Sequence, residues 1–346
     1  MIDSLVRAHL RNFKPYKSAR SLYRSGVFLD ANENSLGSTI TLPLEGELNR
    51  YPDPYSTDLR EAIGKYAGVP ANRVFTGNGS DEVIDLLIRL FVEPSEEILI
   101  VEPTYGMYRT SANVAGVGVG SFSLSPDFIL DVDGLLARLQ KTTKMLFVCS
   151  PNNPTGKLIS FSDIERICRE FSGIVVLDEA YIEFSSRPSA VQIAGNIENL
   201  VILRTFSKAW GLAGIRVCYA IANEKIVQYL DKIKPPYNLN RVSAKIALEA
   251  LRQPKKMTEM RDAILKERSR LERDLARLGF EVFPSEANFL LVRRASASEL
   301  ARKLAEISGI IIRDFDSQPL LADCVRITVG TREQNDALIE SLSKLI

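Results

Sequence analysis

Lys208 lies among small and apolar residues, an unusual place for a charge. Its segment runs from Arg204 to Arg216 (RTFSKAWGLAGIR), just beyond the apolar run Val201–Leu203. Burial disfavours an ammonium ion and lowers the pKa of a lysine. A lysine tuned in this way can form a Schiff base with an aldehyde. Thr205 and Ser207 flank it with hydroxyls, and Arg216 follows eight residues on. Hydroxyls and a guanidinium suit a phosphate monoester. A solvated loop lysine with a surface arginine fits the same spacing.

Four more segments carry candidate chemistry. Asp178 ends the apolar run Ile174–Leu177, and Tyr181 follows three residues on. An acid at a strand's C-terminal end can hold a cofactor's ring nitrogen protonated, with the tyrosine donating to a nearby oxygen; an ordinary strand-end acid and aromatic look the same. Ser150–Gly156 (SPNNPTG) is a tight loop that can aim Asn153, or a plain turn. It is not a phosphate loop of the Walker type, because the leading glycine and the final Ser/Thr are missing. Thr76–Glu82 (TGNGSDE) puts Gly77 and Gly79 before a helix start at Ser80 and Asp81. Exposed N–H groups and the helix dipole make that a phosphate site, or a turn without ligand. Glu82 stands where a dinucleotide fingerprint needs Gly or Ala, and Gly116, Gly118 and Gly120 also miss the spacing, which disfavours a nicotinamide oxidoreductase. Tyr105, after Pro103 and Thr104, can stack on a planar ring or fill a core.

These residues need a scaffold. Short apolar runs at 98–101, 145–148, 174–177, 201–203 and 217–221 read as buried strands. Helical patterns at 80–91 and 162–171 lie between such runs, the second opening on a capping box, Ser162 to Glu165. Alternating strands and helices predict an α/β domain with a mainly parallel sheet covered on both faces. The last third changes character. A long charged helix pattern at 255–278 precedes strand candidates at 289–292, 310–312 and 325–328, with helices near 297–308 and 332–345. The expected division is an N-terminal arm at 1–45 that partly joins the small domain, a large domain at 46–250 and a small α+β domain at 251–346.

The whole chain narrows the chemistry. It has 346 residues and a formal net charge of +1, with 45% hydrophobic and 25% charged residues. That argues against a nucleic-acid or membrane partner, and the expectation is a soluble cytoplasmic protein. The four cysteines are scattered and give neither a zinc-ligand spacing nor a disulfide framework, so no metal is expected. The only histidine is His9, in the N-terminal arm. Demanding chemistry without a second histidine points to a cofactor that supplies the reactivity.

Taken together, the segments resemble the fold-type I pyridoxal-phosphate enzymes, and among them the histidinol-phosphate aminotransferase family. The likeness covers nearly the whole chain. It rests on Lys14–Tyr16 (KPY), Ala31–Asn34 (ANEN), Arg50–Pro54 (RYPDP), Gly77–Glu82, Pro103–Tyr105, Ser150–Gly156, Asp178–Tyr181, the lysine segment, Ser285–Phe289 (SEANF) and Val325–Gly330 (VRITVG), in that order. The resemblance implies that Lys208 binds pyridoxal 5'-phosphate covalently and then moves a proton. By it, Asp178 pairs with the ring nitrogen, Tyr181 and Asn153 bond the ring's phenolic oxygen, and Tyr105 stacks on the ring. Ser80, Asp81, Thr205, Ser207 and Arg216 would hold the phosphate. Tyr51 would reach the cofactor of the partner subunit in a homodimer. Tyr16, Asn32, Asn153, Arg313 and Arg326 would face substrate, although Arg326 taken alone also suits a surface strand edge. Two departures stand out: Phe206 and Trp210 replace the more usual Leu and Phe, and the region 35–46 is short.

The implied reaction passes an amino group between L-histidinol phosphate and 2-oxoglutarate, giving imidazole acetol phosphate and L-glutamate, in histidine biosynthesis. The same motifs suit an aromatic amino-acid aminotransferase or a threonine-phosphate decarboxylase of that subfamily. A non-catalytic regulatory module that binds the cofactor would need a DNA-binding domain, for which the chain shows no spare length or basic patch.

Overall fold

A computed structural model of the chain describes residues 27–30, 32–36, 51–315 and 318–346. Its centre is a seven-stranded sheet. The strands are β2 (Val74–Gly77), β3 (Glu97–Glu102), β4 (Gly118–Ser123), β5 (Thr143–Cys149), β6 (Ile174–Asp178), β7 (Leu200–Thr205) and β8 (Cys218–Ile221). Their order is β2-β8-β7-β6-β5-β3-β4. Only β8 runs against its neighbours. The continuous apolar runs of β5, β6 and β7 follow from burial on both faces. Leu146, Leu177 and Ile202 enter the apolar layer on one side. Phe147, Val176 and Val201 enter the layer on the other.

Helices fill both layers. Ser80–Phe91 buries Val83, Ile84 and Leu87, as its spacing predicts. The helix at Phe161–Glu170 starts earlier than expected. Its cap is Ser160, whose Oγ accepts the Asp163 N–H at 3.1 Å, and not Ser162. Half-buried Phe161 packs on the core from the first turn.

A second sheet has the order β1-β11-β12-β10-β9. It comprises β1 (Val27–Leu29), β9 (Glu281–Val282), β10 (Phe289–Arg293), β11 (Ile310–Asp314) and β12 (Cys324–Thr328). The N-terminal strand β1 pairs in parallel with β11. Helix Pro254–Arg277 opens with proline at its first turn and runs roughly 36 Å toward this sheet. Residues 297–308 form two pieces: an α-helix at Ala297–Lys303, then a π turn at Leu304–Ser308. Helix Arg241–Leu251 packs on helix Thr57–Ala67 of the large sheet. On that packing we propose a division of the chain near residue 250. Among the described residues, no helix is long and apolar enough to cross a membrane.

Beneath the lysine segment lies a buried ion pair. Arg204 Nη2 meets Glu183 Oε1 at 2.6 Å, with both side chains under a tenth exposed. The guanidinium also faces the rings of Tyr66 and Tyr219, at 5.6 and 5.7 Å. An arginine cannot shed its charge, so Glu183→Ala takes from a buried cation the carboxylate it touches and leaves it only the weaker field of Glu179. The expected cost is about 3–5 kcal/mol, read from the urea midpoint. A loss below about 1 kcal/mol, the scale of an exposed pair, would contradict the burial argument.

Candidate active site

The C-terminal ends of β2, β3, β5, β6 and β7 meet along one edge of the large sheet, where ligands bind in open α/β folds. They open into a cavity of about 330 Å³. The small sheet closes its other side with Arg313, Phe315 and Arg326.

Asp178 lies at the floor. Its Oδ2 accepts the Tyr108 hydroxyl at 2.6 Å and its Oδ1 the Ala180 N–H at 3.0 Å. Burial raises its pKa, while those two bonds and the Lys208 charge pull it back. Lys208 Nζ stands 5.7 Å from the centre of the Tyr181 ring. Burial, joined by Arg326, lowers its pKa from 10.5 to about 8. A much larger fraction is therefore free amine near neutral pH than for an exposed lysine. The Tyr181 hydroxyl accepts from Asn32 Nδ2 at 3.1 Å, which leaves its own proton to donate into the cavity. Burial pushes that phenol well up, so it stays protonated.

The far end suits an anion. Gly79 takes φ of 81° just before the helix starting at Ser80, and a methyl there would run into the Arg216 guanidinium. Thr205 and Ser207 place their hydroxyls 2.9 Å apart on the same wall. The Asp81 carboxylate receives the Tyr105 hydroxyl at 3.0 Å and Arg216 Nη2 at 3.2 Å. Its side chain therefore orients its neighbours, and the N–H groups at the helix start can serve an anion.

On the roof, Arg326 is buried and bonds Asn153 Oδ1 through Nη1 and the Asp30 carbonyl through Nη2, at 2.6 Å for the latter. The alternative of a surface strand edge is excluded. Arg313 pairs with Arg326 across β11 and β12. Both guanidiniums face the Phe315 ring, at 5.7 and 5.4 Å. Asn32 is held by Thr328 through a 2.9 Å and a 3.0 Å bond and by Asn288 at 3.0 Å.

The chain matches the family described as aminotransferase class I and II over residues 27–342. It is 46% identical to a histidinol-phosphate aminotransferase of Cytophaga hutchinsonii, over 99% of this chain and 98% of that one. The chain belongs to the class I and II aminotransferases. A histidinol-phosphate aminotransferase of Parabacteroides distasonis is 41% identical, over 99% of each chain. The fold matches the crystal structure of histidinol-phosphate aminotransferase from Sinorhizobium meliloti in complex with pyridoxal-5'-phosphate. That TM-score is 0.90 at 24% identity, over 99% of each chain.

In this aminotransferase the cavity gathers Asn32, Ser80, Asp81, Tyr105, Asn153, Asp178, Tyr181, Thr205, Ser207, Lys208, Arg216, Arg313 and Arg326, each singled out from sequence. Tyr16 lies outside the described residues. Tyr51 is not among the cavity's residues: it is 77% exposed and stacks on Tyr237 at 4.5 Å. Phe206 and Trp210 are fully buried beside each other, so the two departures in the lysine segment are matched by core packing. Sequence reasoning missed Tyr108, Cys149, Phe315 and Gln318. The spacing of Tyr108, three residues after Tyr105, was the available signal.

Proposed function

We propose that this aminotransferase passes an amino group reversibly between L-histidinol phosphate and 2-oxoglutarate, with pyridoxal 5'-phosphate as cofactor, in histidine biosynthesis. One observation carries the reading: Lys208, whose pKa burial lowers to about 8, lines one cavity with a buried carboxylate and an anion cradle. The residues fit the cofactor. A carboxylate suits a protonated ring nitrogen, and the Gly79–Arg216 cradle with its hydroxyls suits a phosphate. The names of the relatives supply the substrate.

Pyridoxal phosphate, when bound, supplies an electron-withdrawing ring that stabilises negative charge on the substrate α-carbon and carries the amino group between substrates. Lys208 Nζ takes the α-proton and returns it, a step its lowered pKa favours near neutral pH. Asp178 would hold the proton on the ring nitrogen. Tyr181, whose hydroxyl keeps its own proton to donate, and Asn153, aimed by Arg326, would hydrogen-bond the ring's phenolic oxygen. Tyr105, with its hydroxyl tied to Asp81, would stack on the ring. Histidinol phosphate lacks an α-carboxylate and glutamate has one. The Arg313–Arg326 pair can grip phosphate in one half-reaction and carboxylate in the other.

Gly79→Ala drives a methyl into Arg216 and demands a left-handed backbone. Cofactor affinity should fall roughly tenfold, the scale of one charge-assisted hydrogen bond. Titration of the stripped protein with pyridoxal phosphate reads it, and unchanged affinity would contradict the cradle. The exposed stack of Tyr51 on Tyr237 supports a homodimer in which Tyr51 reaches the partner's site. A cytoplasmic setting suits the four buried free thiols.

Steady-state assay tests the substrate. Glutamate formation from histidinol phosphate and 2-oxoglutarate should exceed that from tyrosine or phenylalanine roughly 100-fold in kcat/KM. Preference for an aromatic amino acid, or carbon dioxide release from threonine phosphate, would overturn the assignment.

A further inference from the structure

Tyr108 is fully buried on helix Met107–Ala115 and is not among the cavity's residues, so it does not reach a ligand there. Its ring stacks on Phe147 of β5, with centres 4.6 Å apart and planes 13° off parallel. That stack aims the hydroxyl at Asp178 Oδ2, 2.6 Å away, while the Ala180 N–H takes Oδ1. Each carboxylate oxygen is thus tied once and keeps a lone pair for the cavity. We infer that Tyr108 is a positioning residue, whose hydroxyl holds Asp178 ionised and in one orientation for the ring nitrogen of the cofactor. The inference rests on the pairing of Asp178 with that nitrogen proposed above.

The groups around Asp178 leave Tyr108 as the strong lever. Burial pushes the phenol itself well up, so it donates throughout the working range. Cys149, at the end of β5, is likewise pushed up and neutral. Asp81, at the start of helix Ser80–Phe91, opposes the charge on Asp178, and Lys208, beyond β7, supports it. Tyr181 also faces the acid and stays protonated. A hydrogen bond to the ionised form favours that form, so deleting it moves the titration of Asp178 upward.

Tyr108→Phe keeps the ring on Phe147 and removes only the donor. Enzyme stripped of cofactor is titrated with pyridoxal phosphate across pH, following the visible absorption. In wild type, affinity should fall on the acid side as Asp178 takes a proton. In Tyr108→Phe that fall should begin about one pH unit higher or more, with affinity roughly tenfold weaker on the acid limb and unchanged on the alkaline plateau. A merely structural role would lower the affinity at every pH. In an Asp178→Asn background the limb should vanish and Tyr108→Phe should have no effect. A limb present in wild type, lost in Asp178→Asn and unmoved in Tyr108→Phe overturns this inference alone. A limb absent from wild type, or kept in Asp178→Asn, removes the pairing of Asp178 with the ring and this inference with it.

Discussion

Lys208→Ala should lower turnover roughly 10⁴-fold, the upper range for loss of a positioned general base. The lysine is the amine that moves the proton, and alanine has no group to take over. Lys208 is half-buried at the cavity wall, so truncation leaves space that opens to the cavity and costs the fold little. The variant should fold, keep its thermal midpoint within a few degrees, and still bind pyridoxal phosphate through the Gly79–Arg216 cradle and Asp178. It should no longer form an adduct that borohydride can trap. Turnover within tenfold of wild type, or a trapped adduct in the variant, would move the chemistry to another residue.

Arg326→Ala should cost about 3 kcal/mol in kcat/KM for both substrates, roughly a hundredfold. The guanidinium does two jobs. It presents a fork to substrate phosphate or carboxylate, and it holds Asn153 Oδ1. Loss of the fork raises KM, and loss of the tie to Asn153 lowers kcat. Arg326→Lys keeps the charge without the fork, so it should recover little of either. Unchanged KM for both histidinol phosphate and glutamate would remove Arg326 from the substrate site.

Much of this site was legible in the sequence, for physical reasons. β5, β6 and β7 lie inside a doubly covered sheet, so they read as unbroken apolar runs, and their polar neighbours mark the C-terminal ends. The sequence alone therefore sets Asn153, Asp178 and Lys208 along one edge. β4 was not legible: it is an edge strand carrying Gly118 and Gly120, with little buried surface. Helix Met107–Ala115 was hidden too, since threonine, serine and asparagine weaken its helical signal. Tyr108 went unread with it, and so did the support beneath Asp178. The pairing of Arg313 with Arg326 exists only through strand register, which depends on residues far apart in the chain. The cap of helix Phe161–Glu170 lies two residues before the expected Ser162, because Ser160 with Asp163 offers the same cap spacing and is the serine whose Oγ takes the helix N–H.

The most direct test of the central claim is a single-turnover half-reaction. Enzyme loaded with pyridoxal phosphate is mixed with L-histidinol phosphate alone, and the visible cofactor band is followed in a stopped-flow instrument. The expected result is bleaching to the amine form of the cofactor, faster than with tyrosine or threonine phosphate, with the band restored by 2-oxoglutarate. A band that persists with histidinol phosphate but bleaches with another amine would keep the aminotransferase and contradict the substrate.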